Sequence, residues 1–385
     1  MSAPVAAATS TAEIAERVRE AAAASMPLRI VGRGHWLDAG RPVRATDRLA
    51  LDALTGIVDY TAGDLTLTAR AGTTLQEIAH VTAGERQWLA LDPAGPLTGT
   101  LGATIATASA GPLAHALGAP RDAVLGLEVV TGTGEVVHTG GRVVKNVAGF
   151  DLTRLFTGSW GTLAVITEVT VRLRALPAVD ETVALALPMS AHELDSLLTR
   201  VRAAPIAPIA LELVSAPLAE RIALPPQAVL LARLGGNVES VRAQRAVLES
   251  IARAAIVPRE TWGALRVCEP PGASVVRLSA LPARLAPLWS AARDANASLP
   301  GALAHASLGR GVVRCIAPSD DDEALGPWLE AIGRLDATRI FERLPPRRWS
   351  EALAPSPVAD RLSRDVKRAF DPHGVLNPGL FGERS

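Results

Sequence analysis

From Pro93 to Pro120 the chain carries no aspartate, glutamate, lysine or arginine. A charge-free run of that length could cross a bilayer as a helix. It is broken by Pro96 and Pro112 and by Gly95, Gly99, Gly102, Gly111 and Gly118, which disfavours a continuous lipid-facing helix. The missing charge needs another explanation, and a buried anionic ligand supplies one.

The rest of the composition narrows the field. With 385 residues there is room for two or three domains with proper cores. Lys and Arg number 39, Asp and Glu also 39, so no global field attracts nucleic acid. Cys268 and Cys315 form neither a disulfide framework nor a CxxC pair, which places any iron–sulfur chemistry on another chain. The start MSAPVAAATSTAE lacks a basic leader region, and the expected address is cytoplasmic.

Periodicity predicts an α+β layout. Ser10 with Glu13 has the spacing of a capping box ahead of Ile14, Val18, Ala21 and Ala22, and Thr74 with Glu77 repeats it before a helix to about Val81. Strands are expected at 28–31, near 48–52, 56–60 and 64–71, at 124–131 and 135–139 around Gly132-Thr133-Gly134, and at 162–174, where Val165, Thr167, Val169, Val171 and Leu173 share a face. Leu176 to Pro188 reads as a linker. Beyond it, helices near 190–203, 237–255, 283–296 and 320–333 alternate with strands near 209–214, 227–234, 273–279, 301–307 and 311–316.

Two segments offer main-chain amides to an anion. Gly32-Arg33-Gly34-His35 follows a strand, and its glycines let the backbone approach a phosphate closely. Gly95 to Gly111 contains a turn leading into a helix at about Leu101, whose N-terminus would present partial positive charge and unpaired N–H groups. A plain turn and a small-residue helix packed on a sheet are the alternatives. No third glycine or strand-ending acid supports a dinucleotide-binding fingerprint of the NAD type.

Over residues 28–176 the chain resembles flavoproteins of the vanillyl-alcohol oxidase and p-cresol methylhydroxylase (PCMH) type, and is similar to the E-subunit family of bacterial glycolate oxidase. The carriers are PLRIVGRGH (27–35), ARAGTTLQEI (69–78), LDPAGPLTGTLGATIATASAGP (91–112), the stretch 121–177 with VKNVAGFD at 144–151, and FDPHGVLNPGLF (370–381). The resemblance implies a PCMH-type FAD-binding domain at 1–176, a smaller α+β cap, substrate or subunit-contact domain at 177–365, and a tail, 366–385, that returns to the first domain.

It also implies FAD, with Val31, Gly32, Arg33, Gly34 and His35 on one wall and Gly95, Thr100, Leu101, Gly102, Thr104 and Thr107 on the other. Gly161, Val165 and Ile166 would lie against the adenine half, Asn377 near the flavin ring, and Lys145 at its N1–C2=O edge unless it is a surface lysine paired with Asp151. His35 stands where relatives bind flavin covalently; a loop histidine touching phosphate or solvent is the alternative. His305 lies where the sister catalytic subunits carry a ligand-rich segment whose acid, amide and second histidine are absent here. The arginines 343, 347, 348, 361, 364 and 368 with Lys367 read as a carboxylate or partner contact, or as solvated faces.

The implied function is the FAD-binding subunit of a complex that oxidises glycolate or D-lactate to the 2-oxo acid. A catalytic flavin subunit and an iron–sulfur subunit are the implied partners, with membrane association only through them. A stand-alone alcohol or sugar oxidase and a structural subunit with a degenerate flavin pocket, marked by Gly102-Ala103, are the alternatives.

Overall fold

Helix α1 (Thr11–Ala24) starts where Ser10 Oγ accepts from the Glu13 amide, 3.2 Å. The return half of the expected box shifts by one residue, because the Glu13 carboxylate accepts from the Thr9 amide at 2.8 Å instead. Helix α2 (Leu75–Ala83) has the complete box, Glu77 N to Thr74 Oγ1 and Thr74 N to Glu77 Oε2. The computed structural model describes residues 7–45, 47–141, 151–318, 322–350, 352 and 357–382.

Two units make up the chain, one holding Met1–Ala110, Gly118–Leu176 and Ser350–Ser385, the other Gly111–Leu117 and Pro177–Trp349. In the first, β1 (Leu28–Val31) pairs in parallel with β2 (Asp47–Ala50). An antiparallel sheet is formed by β3 (Ile57–Thr61), β4 (Thr66–Arg70), β6 (Val124–Thr131), β7 (Val136–Gly140) and β8 (Ala164–Arg172), in the order β3-β4-β8-β6-β7. A small pair, β5 (Gln87–Trp88) with β9 (Arg174–Ala175), flanks it in sequence. In β8 the residues Val165, Thr167, Val169 and Val171 are each at most 1% exposed, as the period-two pattern requires of one buried face.

The chain returns to β1 from its other end. Leu28 donates to Val375 O at 2.7 Å, Asn377 donates to Leu28 O at 3.0 Å, and Leu28 forms a parallel bridge with Leu376. Asp371, its side chain fully buried, holds this tail by accepting from the Val375 and Leu376 amides and from Lys367 Nζ. Lys367, half-buried, is therefore paired in a clamp rather than part of a solvated basic face.

The second unit is built on an eight-stranded sheet of β10 (Val179–Ala186), β11 (Ala210–Val214), β12 (Val229–Gly236), β13 (Ala254–Val257), β14 (Ser274–Ser279), β15 (Leu303–Ser307), β16 (Val312–Ala317) and β17 (Thr338–Arg343), in the order β13-β10-β12-β11-β15-β16-β14-β17. Residues 179–186 are an interior strand of it, which corrects the linker reading. The charges of Asp180 and Glu181 in this strand are met by Arg233 and Arg245, at 2.6 and 2.9 Å.

Candidate functional site

At the end of β1 the chain turns through Gly32–His35 and meets the start of helix α3 (Leu101–Thr107). The approach is close: a Cβ on Gly32 would stand 2.8 Å from Thr100 Oγ1. Elsewhere on the same two loops, His35 Nε2 and Thr98 Oγ1 are 3.2 Å apart. The cleft between and beneath these loops has about 1030 Å³ of empty space, part of it open to solvent. Its floor is the outer face of β8, from which Ala164 and Ile166 reach it, and its far end is formed by Trp160, Gly161, Asn377 and Leu380.

The α3 N-terminus does not offer the free amides expected of it. Leu101 N donates to Thr73 O and Gly102 N to Ala71 O, both at 2.8 Å, and Ala103 N to the Thr100 hydroxyl at 3.2 Å. These carbonyls belong to the turn after β4, packed so tightly on the helix that a Cβ on Gly102 would lie 2.6 Å from the Ala71 Cβ. The amides of Arg33 and Gly34, by contrast, have no acceptor among the described residues. The anion-ready backbone is thus the first loop, and the second supplies hydroxyls and a wall.

Of the residues expected in the site, Val31, Gly32, Arg33, Gly34, His35, Thr100, Gly102, Thr104, Thr107, Gly161, Ile166 and Asn377 line this cleft. Gly95, Leu101 and Val165 do not. Val165 and Ile166 are adjacent in a strand, so only one can face the cleft, and Val165 takes the opposite, fully buried face. Lys145 and its neighbours in 142–150 lie outside the described residues, while Asp151 caps the helix Leu152–Phe156 and pairs with Arg154 at 3.0 Å. Asn377 is a fastener: its Oδ1 accepts from Ile30 N and its Nδ2 donates to Trp160 O, both at 2.8 Å.

The sequence reading missed Trp160 and Leu380, whose only signal was an aromatic and an aliphatic residue beside turn glycines. Among the described lining residues there is no carboxylate, while Arg29 and Arg33 supply positive charge. Burial, with Arg48 nearby, pulls the Arg29 guanidinium below its usual value, and Asp38 opposes this.

A model of the family described as FAD binding domain matches residues 2–140. This segment is an FAD binding domain. The glycolate oxidase subunit GlcE of Escherichia coli is 39% identical over 165 residues, covering 42% of this chain and 46% of that protein. The glycolate oxidase subunit GlcD of Bacillus subtilis is 33% identical over 205 residues, 51% of this chain and 43% of that one. The chain thus spans less than half the length of either relative. In fold it is similar to substrate-bound p-cresol methylhydroxylase, with a TM-score of 0.76, 16% identity and coverage of 98% of this chain and 88% of the other. The FAD binding domain fits its cofactor on the structure's own terms: an acid-free cleft, two arginines, unpaired loop amides and a glycine whose missing Cβ leaves the loops in contact suit a pyrophosphate-linked dinucleotide.

A second polar cluster lies within the other unit. His305 Nδ1 is 2.5 Å from Glu212 Oε1, and Glu212 is 2% exposed. Sequence reading singled out His305 but not its carboxylate partner, an acid hidden in the apolar strand ALELV. Nearby, Glu269 pairs with Arg314 and Arg343, and Arg314 with Glu342. No group of three His, Cys, Asp or Glu suited to a metal ion occurs among the described residues.

Burial pushes the Glu269 carboxyl up, but Arg314 and Arg343 outweigh it and hold the group below its ordinary value of 4.5. A carboxylate depressed in the folded state stabilises fully above its unfolded value, and the stabilisation is lost as pH falls through the folded one. Acid titration of the melting temperature should show a falling limb below about pH 4.5 that Glu269→Gln flattens, while also lowering stability at neutral pH. An unchanged acid limb in that variant would remove Glu269 from the account.

Proposed function

We propose that this chain is the FAD-binding subunit of a complex that oxidises a small 2-hydroxy acid, such as glycolate or D-lactate, to the 2-oxo acid. The single observation that carries the reading is the acid-free cleft closed by Gly32–His35 and Thr100; the two glycolate oxidase relatives give it its substrate class. When bound, FAD supplies this subunit with a carrier able to take up and pass on electrons within the complex.

The chain's own residues bind and orient. The Arg33 and Gly34 amides would hold the pyrophosphate, with Val31, Gly32 and His35 completing that wall. Thr100, Thr104 and Thr107 line the other, Gly161 and Ile166 lie beneath, and Asn377 keeps the 160–161 turn and β1 in register.

Onward electron transfer belongs to an iron–sulfur subunit, with a sister flavin subunit performing the oxidation. What supports this division is the chain's cysteine content: Cys268 and Cys315 are its two cysteines, both buried and in no CxxC pair, against the four thiolates an iron–sulfur cluster takes.

The test begins with the absorbance spectrum of purified protein before and after acid precipitation. Flavin should be present. Colour remaining in the pellet, and lost in His35→Ala, would establish the covalent bond at His35; colour released entirely to the supernatant makes His35 a phosphate-loop residue. Under anaerobic conditions glycolate or D-lactate should leave the isolated chain's flavin unbleached, and adding the two partner subunits should restore turnover with a dye acceptor. Rapid bleaching of the isolated chain by a hydroxy acid would move the active site onto this subunit. Bleaching by a sugar or simple alcohol would replace the proposal with a stand-alone oxidase.

A further inference from the structure

Two aromatic rings outside the hydrophobic core, Trp36 and Trp160, line the cleft, and a third, Phe381, packs against Trp160. Trp36 and Trp160 stand edge to face with centroids 5.8 Å apart, and Trp160 and Phe381 repeat the arrangement at 6.5 Å. Trp36 and Trp160 line the cavity, as does Leu380, and Phe381 is 47% exposed. A core aromatic pair in the same unit looks different: Phe156, in contact with Phe370, has no exposed surface at all.

Trp160 is held there at a conformational cost. Its φ is +56°, a left-handed backbone that a bulky side chain seldom adopts, and Gly161 follows at +66°. Two hydrogen bonds enforce this: Trp160 N donates to Ala106 O and Trp160 O accepts from Asn377 Nδ2, both at 2.8 Å, and that same amide crowds the place a Cβ on Gly161 would take. The surrounding structure therefore over-determines the placement of one exposed-edge indole beside a cleft. Phe381 reaches it because the tail is pinned by Arg41 N to Leu380 O and Arg44 N to Pro378 O, at 3.2 and 2.8 Å.

We propose that Trp36 and Trp160, whose rings meet at a right angle with Phe381 packed against Trp160, form an aromatic clamp that holds one planar heteroaromatic ring of the bound dinucleotide by stacking on one ring and edge contact with the other. The inference rests on the FAD reading and adds to it the end of the cleft where ring recognition occurs and the residues that provide it. Aromatic faces stack on purine and isoalloxazine rings alike, so both rings of FAD share the required chemistry.

Calorimetric titration of flavin-free full-length protein with FAD tests it. Trp36→Ala and Phe381→Ala should each weaken binding by about tenfold, and Trp160→Phe, which keeps a ring, should bind better than Trp160→Ala. ADP and FMN then identify the ring. ADP does not absorb where tryptophan emits, so a change in indole emission on adding ADP that disappears in Trp160→Phe assigns the adenine. Calorimetric binding of FMN, weakened in Phe381→Ala, with no emission change on ADP assigns the flavin. FAD bound by the wild type and equally well by Trp36→Ala and Phe381→Ala overturns the clamp while leaving the cofactor in place. A wild type that binds no FAD overturns the cofactor reading and the clamp with it.

Discussion

Gly102→Asp will yield protein that neither folds its FAD binding domain nor retains flavin, and Gly102→Ala will already fall part of the way. An alanine Cβ at 102 would stand 2.6 Å from the Ala71 Cβ, 2.9 Å from Ala71 O and 3.1 Å from the Ala71 Cα. The helix cannot back away, because the Gly102 amide is bonded to Ala71 O at 2.8 Å. Overpacking of this kind costs about 1–3 kcal/mol per added methyl group in a tight site. In an ordinary helix interior the same change to alanine gains up to about 1 kcal/mol, so even the sign is diagnostic. Urea unfolding of the two variants, with the flavin spectrum alongside, separates packing from charge. If aspartate acted only by repelling the pyrophosphate, Gly102→Ala would be as stable as the wild type and fully yellow, and the packing account would fail.

Asp371→Ala should be comparably damaging from a site far along the chain. Its carboxylate accepts from Val375 N at 3.0 Å, Leu376 N at 2.9 Å and Lys367 Nζ at 2.7 Å. Lys367 in turn donates to Thr162 O and Leu376 O, at 2.7 and 2.8 Å. Removing the acid leaves a nearly enclosed ammonium without its counter-charge, a change worth about 3–5 kcal/mol. It also frees the tail that pairs with Leu28, at the head of the strand that delivers the Gly32–His35 loop, so flavin affinity should fall with stability. Paired replacement by apolar residues, Asp371→Leu with Lys367→Met, should be less destabilising than Asp371→Ala alone, because it leaves no orphaned charge. A single variant with a wild-type urea midpoint would show that the clamp contributes nothing.

The two positions mark the boundary between what local sequence specifies and what it does not. The sequence by itself determined the features that depend on neighbours within a few residues: the Thr74–Glu77 capping box, the alternation of β8, the hairpin around Gly132-Thr133-Gly134, and a charge-free glycine-rich segment suited to an anionic ligand. Each follows from spacing, because capping and pleating act over three or four residues.

Only the tertiary structure decided which loop keeps its amides. Leu101 and Gly102 lie at a helix start that reads as an anion site, yet carbonyls of Thr73 and Ala71, contributed by another strand's turn, consume them. It likewise turned 179–186 from an apparent linker into an interior strand, by supplying Arg233 and Arg245 to Asp180 and Glu181 from 53 and 64 residues away. And it made Asn377 a fastener for Ile30, 347 residues distant. Hydrogen bonds and ion pairs compete for the same donors and acceptors wherever the folded chain brings them within reach, and that competition is settled by distance in space, which spacing along the chain does not encode.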